Sequence, residues 1–173
     1  ETTYSYDGAG NLTEKQTKVT ENESIIVRYE YDGACRKTRE ILLAESGDIA
    51  DAANDSQWAR PGDPQGTKYL VTEYEYYHNS NVKKEKDAYG NYTLYDYDPV
   101  GNMVKKERYA ADQTLLERIT YQYDHAGNVT KETNGLNGET VYQYDSLQRL
   151  IRKTQTIDGQ EASTLYEYDK NGN

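Results

Sequence analysis

The stretch Tyr121-Gln-Tyr-Asp-His-Ala-Gly-Asn-Val-Thr130 decides the fold of this chain. Tyr121 and Tyr123 are two residues apart, so on a strand of period two both rings lie on one face. Asp124 and Gly127 follow with the spacing of a type I turn, in which Asp takes the first position and Gly supplies a positive φ at the fourth. Such a turn is a standard three-residue hairpin loop. The stretch therefore predicts a β-hairpin.

The variants of this unit support the hairpin assignment. Its register pairs Tyr123 with Val129 across the two strands. In another copy Pro99 occupies the second turn position, where the fixed φ of proline is tolerated. Two copies lose the Gly and carry Arg in place of Asn, so charge pairs across the strands are expected. These pairs are Asp145 with Arg149 and Asp32 with Arg36.

The unit occurs seven times, and its repetition is the strongest signal in the sequence. The copies begin at intervals of roughly twenty to twenty-six residues, with one longer gap, which is typical of repeat architectures. We assign the residues that define the repeat a structural role. They are Tyr4, Tyr6, Asp7, Gly10, Tyr29, Tyr31, Asp32, Tyr74, Tyr76, Tyr95, Tyr97, Asp98, Gly101, Tyr121, Tyr123, Asp124, Gly127, Tyr142, Tyr144, Asp145, Tyr166, Tyr168, Asp169 and Gly172.

Further turn signals lie between the repeats and predict two strands per repeat. They include 87–91, 111–113, 134–138 and Asp158-Gly159. The returning strands, such as Asn102–Tyr109, are charged, which indicates one apolar face and one solvated face. The predicted fold class is all-β, a repetitive antiparallel hairpin meander that forms a curved sheet or spiral.

The composition favours a layer built on tyrosine. The chain has 173 residues, 19 tyrosines, no phenylalanine and a net charge of -10. Each tyrosine brings a large apolar ring whose hydroxyl needs a partner, so a tyrosine-rich core threaded with polar contacts is expected. The acidic balance argues against nucleic acid and against an anionic membrane. No apolar run reaches the ~20 residues of a membrane span.

An insertion at 44–66 interrupts the repeat. It is rich in Ala and Asp, which predicts a short irregular or helical segment. Trp58 is the one tryptophan, and we interpret it as a plug that packs on the sheet, with ligand stacking as the alternative. Three acidic residues of the insertion lack the spacing and the Gly of a calcium-binding EF-hand loop. They are Asp48, Asp51 and Asp55.

The sequence predicts no catalytic residues, no cofactor and no metal site. His78 and His125 occupy turn positions and are expected to be exposed. Cys35 stands where the repeat has Gly, and we interpret it as a buried or incidental thiol. The carboxylates of the repeats already have a structural task in their turns. We therefore expect the chain not to be an enzyme.

The Tyr-x-Tyr-Asp-x-x-Gly-Asn-hydrophobic units resemble the tyrosine-aspartate (YD) repeat of the Rhs and teneurin superfamily. That superfamily includes bacterial wall-associated proteins, Rhs polymorphic toxins and the C component of insecticidal Tc toxins. The resemblance covers the chain except 44–66 and implies a β-sheet spiral that winds into a hollow shell. In the toxins the shell encloses a C-terminal toxic polypeptide, and in teneurins the repeats support adhesion. The self-cleaving Rhs-core segment is not matched, so no protease residues are carried over.

We expect residues 1–173 to be one YD-repeat segment, a fragment of a longer chain. The predicted function is structural, as part of a shell that encloses a toxin. The alternative is an extracellular adhesion or carbohydrate-binding module in which tyrosine rings and Trp58 stack on a glycan. The expected partners are the rest of the parent chain and an enclosed toxin polypeptide, with edge-to-edge self-association where strand edges are unpaired. The expected location is extracellular or at a bacterial cell surface.

Overall fold

The protein is all-β, as predicted. The computed structural model describes residues 1–21, 24–44, 63, 68–136, 138–169 and 172. Every regular element within these ranges is a β-strand. The strands are β1 (Thr2–Tyr6), β2 (Leu12–Lys18), β3 (Ser24–Tyr31), β4 (Lys37–Ala44), β5 (Lys68–Tyr76), β6 (Val82–Lys86), β7 (Tyr92–Tyr97), β8 (Met103–Tyr109), β9 (Leu115–Tyr123), β10 (Val129–Asn134), β11 (Glu139–Tyr144), β12 (Leu150–Ile157) and β13 (Gln160–Leu165).

The strands follow one another in the sheet in their order along the chain. Neighbouring strands are antiparallel, for example β1 with β2 and β9 with β10. This is the predicted meander with two strands per repeat. The chain divides into two compact units, Glu1–Thr93 with Ala110–Thr114 and Leu94–Tyr109 with Leu115–Asn173. Of the predicted helix or loop at 44–66, only Ala44, the last residue of β4, and Asp63 lie within the described residues.

The stretch from Tyr121 to Thr130 forms the predicted hairpin. The Gly127 amide donates to the Asp124 carbonyl at 3.1 Å, and the Asp124 amide donates to the Asn128 carbonyl at 3.0 Å. Tyr123 pairs with Val129. Gly127 has a φ of 87°, in the left-handed region that a type I turn needs before the returning strand. The sequence-based register is therefore confirmed.

A β-bulge follows each of five repeat turns, and the spacing of the repeat residues does not predict it. In the hairpin of β9 and β10, Tyr123 pairs with Val129 but Gln122 pairs with Lys131, so Thr130 is extra. The extra residue exchanges the faces that the following side chains of the returning strand occupy. The corresponding bulged residues elsewhere are Thr13, Thr38, Lys83 and Ile151.

Register and alternation separate two faces in each unit. The tyrosine face carries the repeat tyrosines, such as Tyr29 and Tyr74 in the first unit. The charge face carries ion pairs between neighbouring strands. Arg39 of β4 pairs with Glu30 of β3 at 2.9 Å and with Glu73 of β5 at 3.3 Å. Strand alternation thus gives the predicted difference between faces, but the tyrosine face is only half-buried.

The buried core of the described residues is small and lies on the charge face of the first unit. It consists of Ile41, Leu43 and Tyr69, with Ile26 and Val71 packed against them. The expectation of a tyrosine-rich core is therefore wrong, because Tyr69 is the one buried tyrosine among the described residues. A single sheet has few side chains above it to exclude water. The repeat tyrosines consequently bury one side of each ring and leave the other side accessible.

Candidate functional site

The most regular chemical feature of the molecule is a contact between successive hairpins, here called the joint. In each joint the second tyrosine of a hairpin donates its hydroxyl hydrogen to a backbone carbonyl on the returning strand of the preceding hairpin. The five described joints have donor–acceptor distances of 2.6 to 2.9 Å. They are Tyr31 to Leu12, Tyr76 to Lys37, Tyr123 to Met103, Tyr144 to Val129 and Tyr168 to Leu150.

The joint acceptor occupies a fixed position relative to the bulge. Val129, which accepts from Tyr144, immediately precedes the bulged Thr130. A carbonyl oxygen has two lone pairs, so it can accept the phenol besides any ladder bond. Burial of the ring raises the pKa of Tyr144 and of Tyr123, which keeps both hydroxyls protonated as donors. The joint therefore links hairpins through backbone geometry and tolerates different side chains at the acceptor.

The repeat aspartate closes its turn with hydrogen bonds. One oxygen of Asp124 accepts from the amides of Ala126 and Asn128, each at 2.9 Å. The other oxygen accepts from the Asn128 side chain at 2.9 Å. The Asn128 side chain is the main cause that lowers the pKa of Asp124, followed by the backbone amides. Asp7 and Asn11 repeat this arrangement in the first unit.

Arginine at the Asn position adds a second contact between hairpins. Arg149 pairs with Asp145 at 2.7 Å, as predicted, and its guanidinium carbon lies 4.6 Å from the ring centre of Tyr168 in the following repeat. Arg36 pairs with Asp32 at 2.6 Å and stacks on Tyr76 at 4.8 Å. Arg36 also donates to the carbonyl of Tyr77 at 2.9 Å. Both arginines thus fix their own turn and hold the next joint tyrosine.

The turn conformation persists where the repeat has lost its glycine. Cys35, Ser80 and Gln148 have φ values of 58°, 69° and 63° at that position. Cys35 is exposed, so the interpretation of a buried thiol is wrong and the incidental one stands. His78 and His125 are exposed, as expected. The hairpin therefore imposes a positive φ at this position even on residues that disfavour it.

A buried ionic network holds Asp63 within the first unit. Arg28 is 6% exposed and donates to both carboxylate oxygens of Asp63, at 2.8 and 2.5 Å, and to Glu14 at 3.0 Å. The Tyr69 hydroxyl also donates to Asp63, at 2.9 Å. Bonding to Asp63 raises the pKa of Arg28 further above its already high value. This network fastens Asp63 against the charge face beside the buried core.

The second unit contains a comparable buried carboxylate. Glu107 is 6% exposed and accepts from Arg118 at 2.6 Å and from the Tyr109 hydroxyl at 3.2 Å. Lys105 lies 3.5 Å from Glu107 and 2.6 Å from Asp96. These partners outweigh the effect of burial and lower the pKa of Glu107. The geometry is that of a charge-neutralising cluster between strands.

An open cavity of about 450 Å³ lies over the ion pairs of the first unit. Its charged lining is already paired, since Glu73 contacts Arg39 and Lys86, and Glu75 contacts Lys84. Within the described ranges no group of acidic, histidine or cysteine side chains could hold a metal ion. No helix in the same ranges is long and apolar enough to cross a membrane. Trp58 and the three acidic residues weighed for calcium lie outside the described residues.

The comparisons agree with this architecture. Residues 123–161 match the RHS Repeat family. No curated protein matches the chain. The fold is similar to the crystal structure of TcdB2-TccC3-TEV, with a TM-score of 0.70 and 20% identity over 97% of this chain and 8% of that one. The crystal structure of TcdB2-TccC3 gives a TM-score of 0.64 and 18% identity over 99% and 10%.

Successive hairpins share the same turn and the same joint, and this repetition defines an all-β repeat scaffold. The match at 123–161 begins at Tyr123 and includes Asp124 and Gly127 of the repeat. The chain therefore contains an RHS repeat at 123–161, and its fold is similar to that of the TcdB2-TccC3 structures. It spans about a tenth of the length of the TcdB2-TccC3 chains whose fold it shares.

Proposed function

We propose that this chain is a structural strip in the wall of a hollow β-shell. The joint is the observation that carries the proposal. In the described joints the second tyrosine reaches a carbonyl at the start of the returning strand of the preceding hairpin, as Tyr123 reaches Met103 and Tyr144 reaches Val129, so hairpins can be added in series without a new kind of contact. Solenoid-like repeats gain their stability from such nearest-neighbour contacts. The paired charges on one face keep that surface neutral while the sheet extends.

The proposed role of the parent protein is to enclose a polypeptide that follows the repeats. Support comes from similar folds in TcdB2-TccC3-Cdc42 and in TcdB2-TccC3 without its hypervariable C-terminal region. In this proposal the segment itself performs no catalysis, and the parent is a bacterial protein that is secreted or displayed at the cell surface. Its partners are the rest of its own chain and the enclosed polypeptide.

Limited proteolysis of the intact parent protein tests the enclosure. The polypeptide that follows the repeats should resist a protease until the shell is opened. Replacing the joint tyrosines Tyr123 and Tyr144 with Phe should accelerate its digestion, whereas Tyr121→Phe should not. Equal digestion with and without intact joints, or no protection at all, would reject the enclosing role.

Two further expectations are tested with the same material. Binding to a glycan array that is lost in Trp58→Ala would favour the adhesion alternative, and absence of binding would leave the scaffold proposal in place.

Light scattering of the 173-residue chain at high concentration measures edge-to-edge association. A monodisperse monomer would contradict that association.

A further inference from the structure

Lys37 lies between two tyrosine rings on the tyrosine face of the first unit. Its ammonium nitrogen is 4.7 Å from the ring centre of Tyr74 and 5.7 Å from that of Tyr29. The same nitrogen pairs with Glu40 at 2.6 Å. Two aromatic rings and a carboxylate stabilise an organic cation, because the rings attract its charge and the carboxylate accepts its N–H. The first unit thus surrounds an ammonium group of its own.

The register of the strands produces this arrangement. Tyr29 pairs with Glu40 across β3 and β4, and Glu40 pairs with Thr72 across β4 and β5. Tyr74 follows Thr72 by two residues and therefore lies on the same face. Lys37 stands three residues before Glu40 and reaches the same face because the bulge lies between them. The arrangement is therefore specified by repeat positions.

The second unit has the same register with one residue changed. Tyr121 pairs with Glu132 across β9 and β10, and Glu132 pairs with Thr140 across β10 and β11. Tyr142 follows Thr140 by two residues, and its hydroxyl donates to Glu132 at 3.4 Å. Val129 stands three residues before Glu132, at the position that lysine has in the first unit. The two rings and the carboxylate are retained, whereas the cation is replaced by an apolar residue.

Glu132 is a half-buried carboxylate that faces both rings. Burial first and the charge of Glu132 second raise the pKa of Tyr121 and of Tyr142. No lysine or arginine of the described residues pairs with Glu132. Lys153, which lies opposite Tyr142 on β12, does not pair with it either. A half-buried carboxylate between two aromatic rings favours the approach of a cation.

We propose that Tyr121, Glu132 and Tyr142 form a binding site for a primary ammonium group, and that its ligand is a lysine side chain of another polypeptide. The charge of the ligand lies between the two rings, and one N–H donates to Glu132. Val129 offers an apolar contact to the methylene stem of the lysine. This ammonium site goes beyond the scaffold function and does not depend on the enclosure of a polypeptide.

Two residue exchanges between the units provide the test. Lys37→Val should create a second ammonium site between Tyr29 and Tyr74, and Val129→Lys should fill the ammonium site with a side chain of the protein. Lys37 and Val129 each accept a joint hydrogen bond through the backbone carbonyl, which either residue type supplies. Both variants are therefore expected to fold.

The measurement is an NMR titration of the 173-residue chain with a lysine blocked at both its amino and carboxyl ends, at neutral pH and constant ionic strength. We expect one saturable site in the unaltered chain, reported by the rings of Tyr121 and Tyr142, two sites in Lys37→Val and none in Val129→Lys. Glu132→Gln should weaken binding about tenfold or more, because it removes the charge and keeps the shape. Glu40→Gln is the matched control, since Glu40 is already paired and the variant should bind as the unaltered chain does.

A parallel titration with butylammonium distinguishes a polypeptide ligand from a free amine. Blocked lysine should bind at least as tightly, and tighter binding of butylammonium would contradict a polypeptide ligand. The absence of saturable binding to the unaltered chain, or equal binding by Glu132→Gln, would overturn the ammonium site. A single site of unaltered affinity in both exchange variants would overturn it as well. Should Val129→Lys fail to fold, the unaltered chain, Lys37→Val and Glu132→Gln still decide the outcome.

Discussion

At the scale of single residues, the repeat is defined by one demanding backbone position. The fourth turn residue has a positive φ in every described YD turn, whether it is glycine, as at 127, or a residue with a side chain, as at 35, 80 and 148. Glycine adopts this conformation without steric cost, whereas other residues do not. The degenerate repeats therefore accept local strain to preserve the register of their strands.

We predict that Gly127→Val destabilises the protein by about 1–3 kcal/mol, because a β-branched side chain is forced to a φ of 87°. Thermal unfolding followed by circular dichroism measures the effect. Gly8→Val is the control, since Gly8 precedes the left-handed position and an added Cβ there meets nothing within 4 Å. Cys35→Gly should cause no loss of stability. Equal melting temperatures for Gly127→Val and the parent would contradict the hairpin assignment.

The joint hydroxyl is the second decisive group at this scale. Tyr123→Phe keeps the ring but removes the donor to Met103, so it should cost about 0.5–1.5 kcal/mol of stability. Chemical denaturation gives the change in free energy. Tyr121→Phe, on the same strand and face, should cost less because it leaves the joint intact. A loss from Tyr123→Phe no larger than the loss from Tyr121→Phe would contradict the stabilising role of the joint hydrogen bond.

At the scale of elements, each hairpin is completed by a bulge and fastened to its neighbour at the turn end. Where Asn closes the turn, its side chain bonds the repeat aspartate, and Asn128 also contacts Gln148 in the next turn. Where Arg closes the turn, the guanidinium pairs with the aspartate and stacks on the next joint tyrosine. Asn and Arg at this position therefore both connect neighbouring hairpins, although they contact different residues of the next repeat.

Arg149→Lys tests this connection while keeping the charge. Lysine has no guanidinium, so it can neither present a planar fork to Asp145 nor stack a planar group on Tyr168, and a loss of about 0.5–1 kcal/mol is expected. Arg152→Lys on the following strand is the matched control, because Arg152 is exposed. Urea denaturation of both variants compares the losses. Indistinguishable midpoints would mean that the Arg149 contacts add no net stability.

Much of this element could be predicted from sequence, because its signals are local. The spacing of Tyr121, Tyr123, Asp124 and Gly127 specified the strand face, the turn and the register. The bulge at Thr130 was missed, because threonine suits a regular strand equally well. The network of Arg28, Asp63 and Tyr69 was missed as well, since Asp63 is 35 residues from Arg28 in sequence. Local periodicity does not show which charged residues that are distant in sequence form ion pairs in the fold.

At the scale of the whole molecule, most acidic side chains in the described part of the chain have structural partners. On the charge face the acidic groups are matched by neighbouring cations, as Glu107 is by Arg118 and Glu73 by Arg39. The repeat aspartates instead lie in the turns and accept backbone amides. The net charge of -10 therefore does not imply disorder, because ionised carboxylates are part of the fold.

The turn aspartates predict acid sensitivity. Hydrogen bonds from Asn11 lower the pKa of Asp7, and bonding to Arg36 lowers the pKa of Asp32. A carboxyl whose folded pKa lies below its unfolded value stabilises the protein above the unfolded pKa and loses this contribution as the pH falls through the folded pKa. We expect stability to decline below about pH 4. Asp124→Asn should reduce the slope of melting temperature against pH in that range, and an unaltered slope would contradict the assignment.

The joint tyrosines predict a loss of stability at high pH. Burial raises the pKa of Tyr76, Tyr123 and Tyr144, so the neutral phenol is favoured in the folded chain. This contribution is complete below the unfolded pKa and is lost as the pH rises through the folded pKa, so unfolding is expected above about pH 10. Ionisation removes the donor from each joint and places a negative charge beside a carbonyl oxygen. A pH titration followed by tyrosinate absorbance and circular dichroism should show tyrosine ionisation and loss of β-structure together. When the three tyrosines are replaced by Phe, and the variants are compared at equal starting stability, the transition should move to higher pH. Full tyrosine ionisation with the sheet intact would show that the joints do not hold the hairpins together.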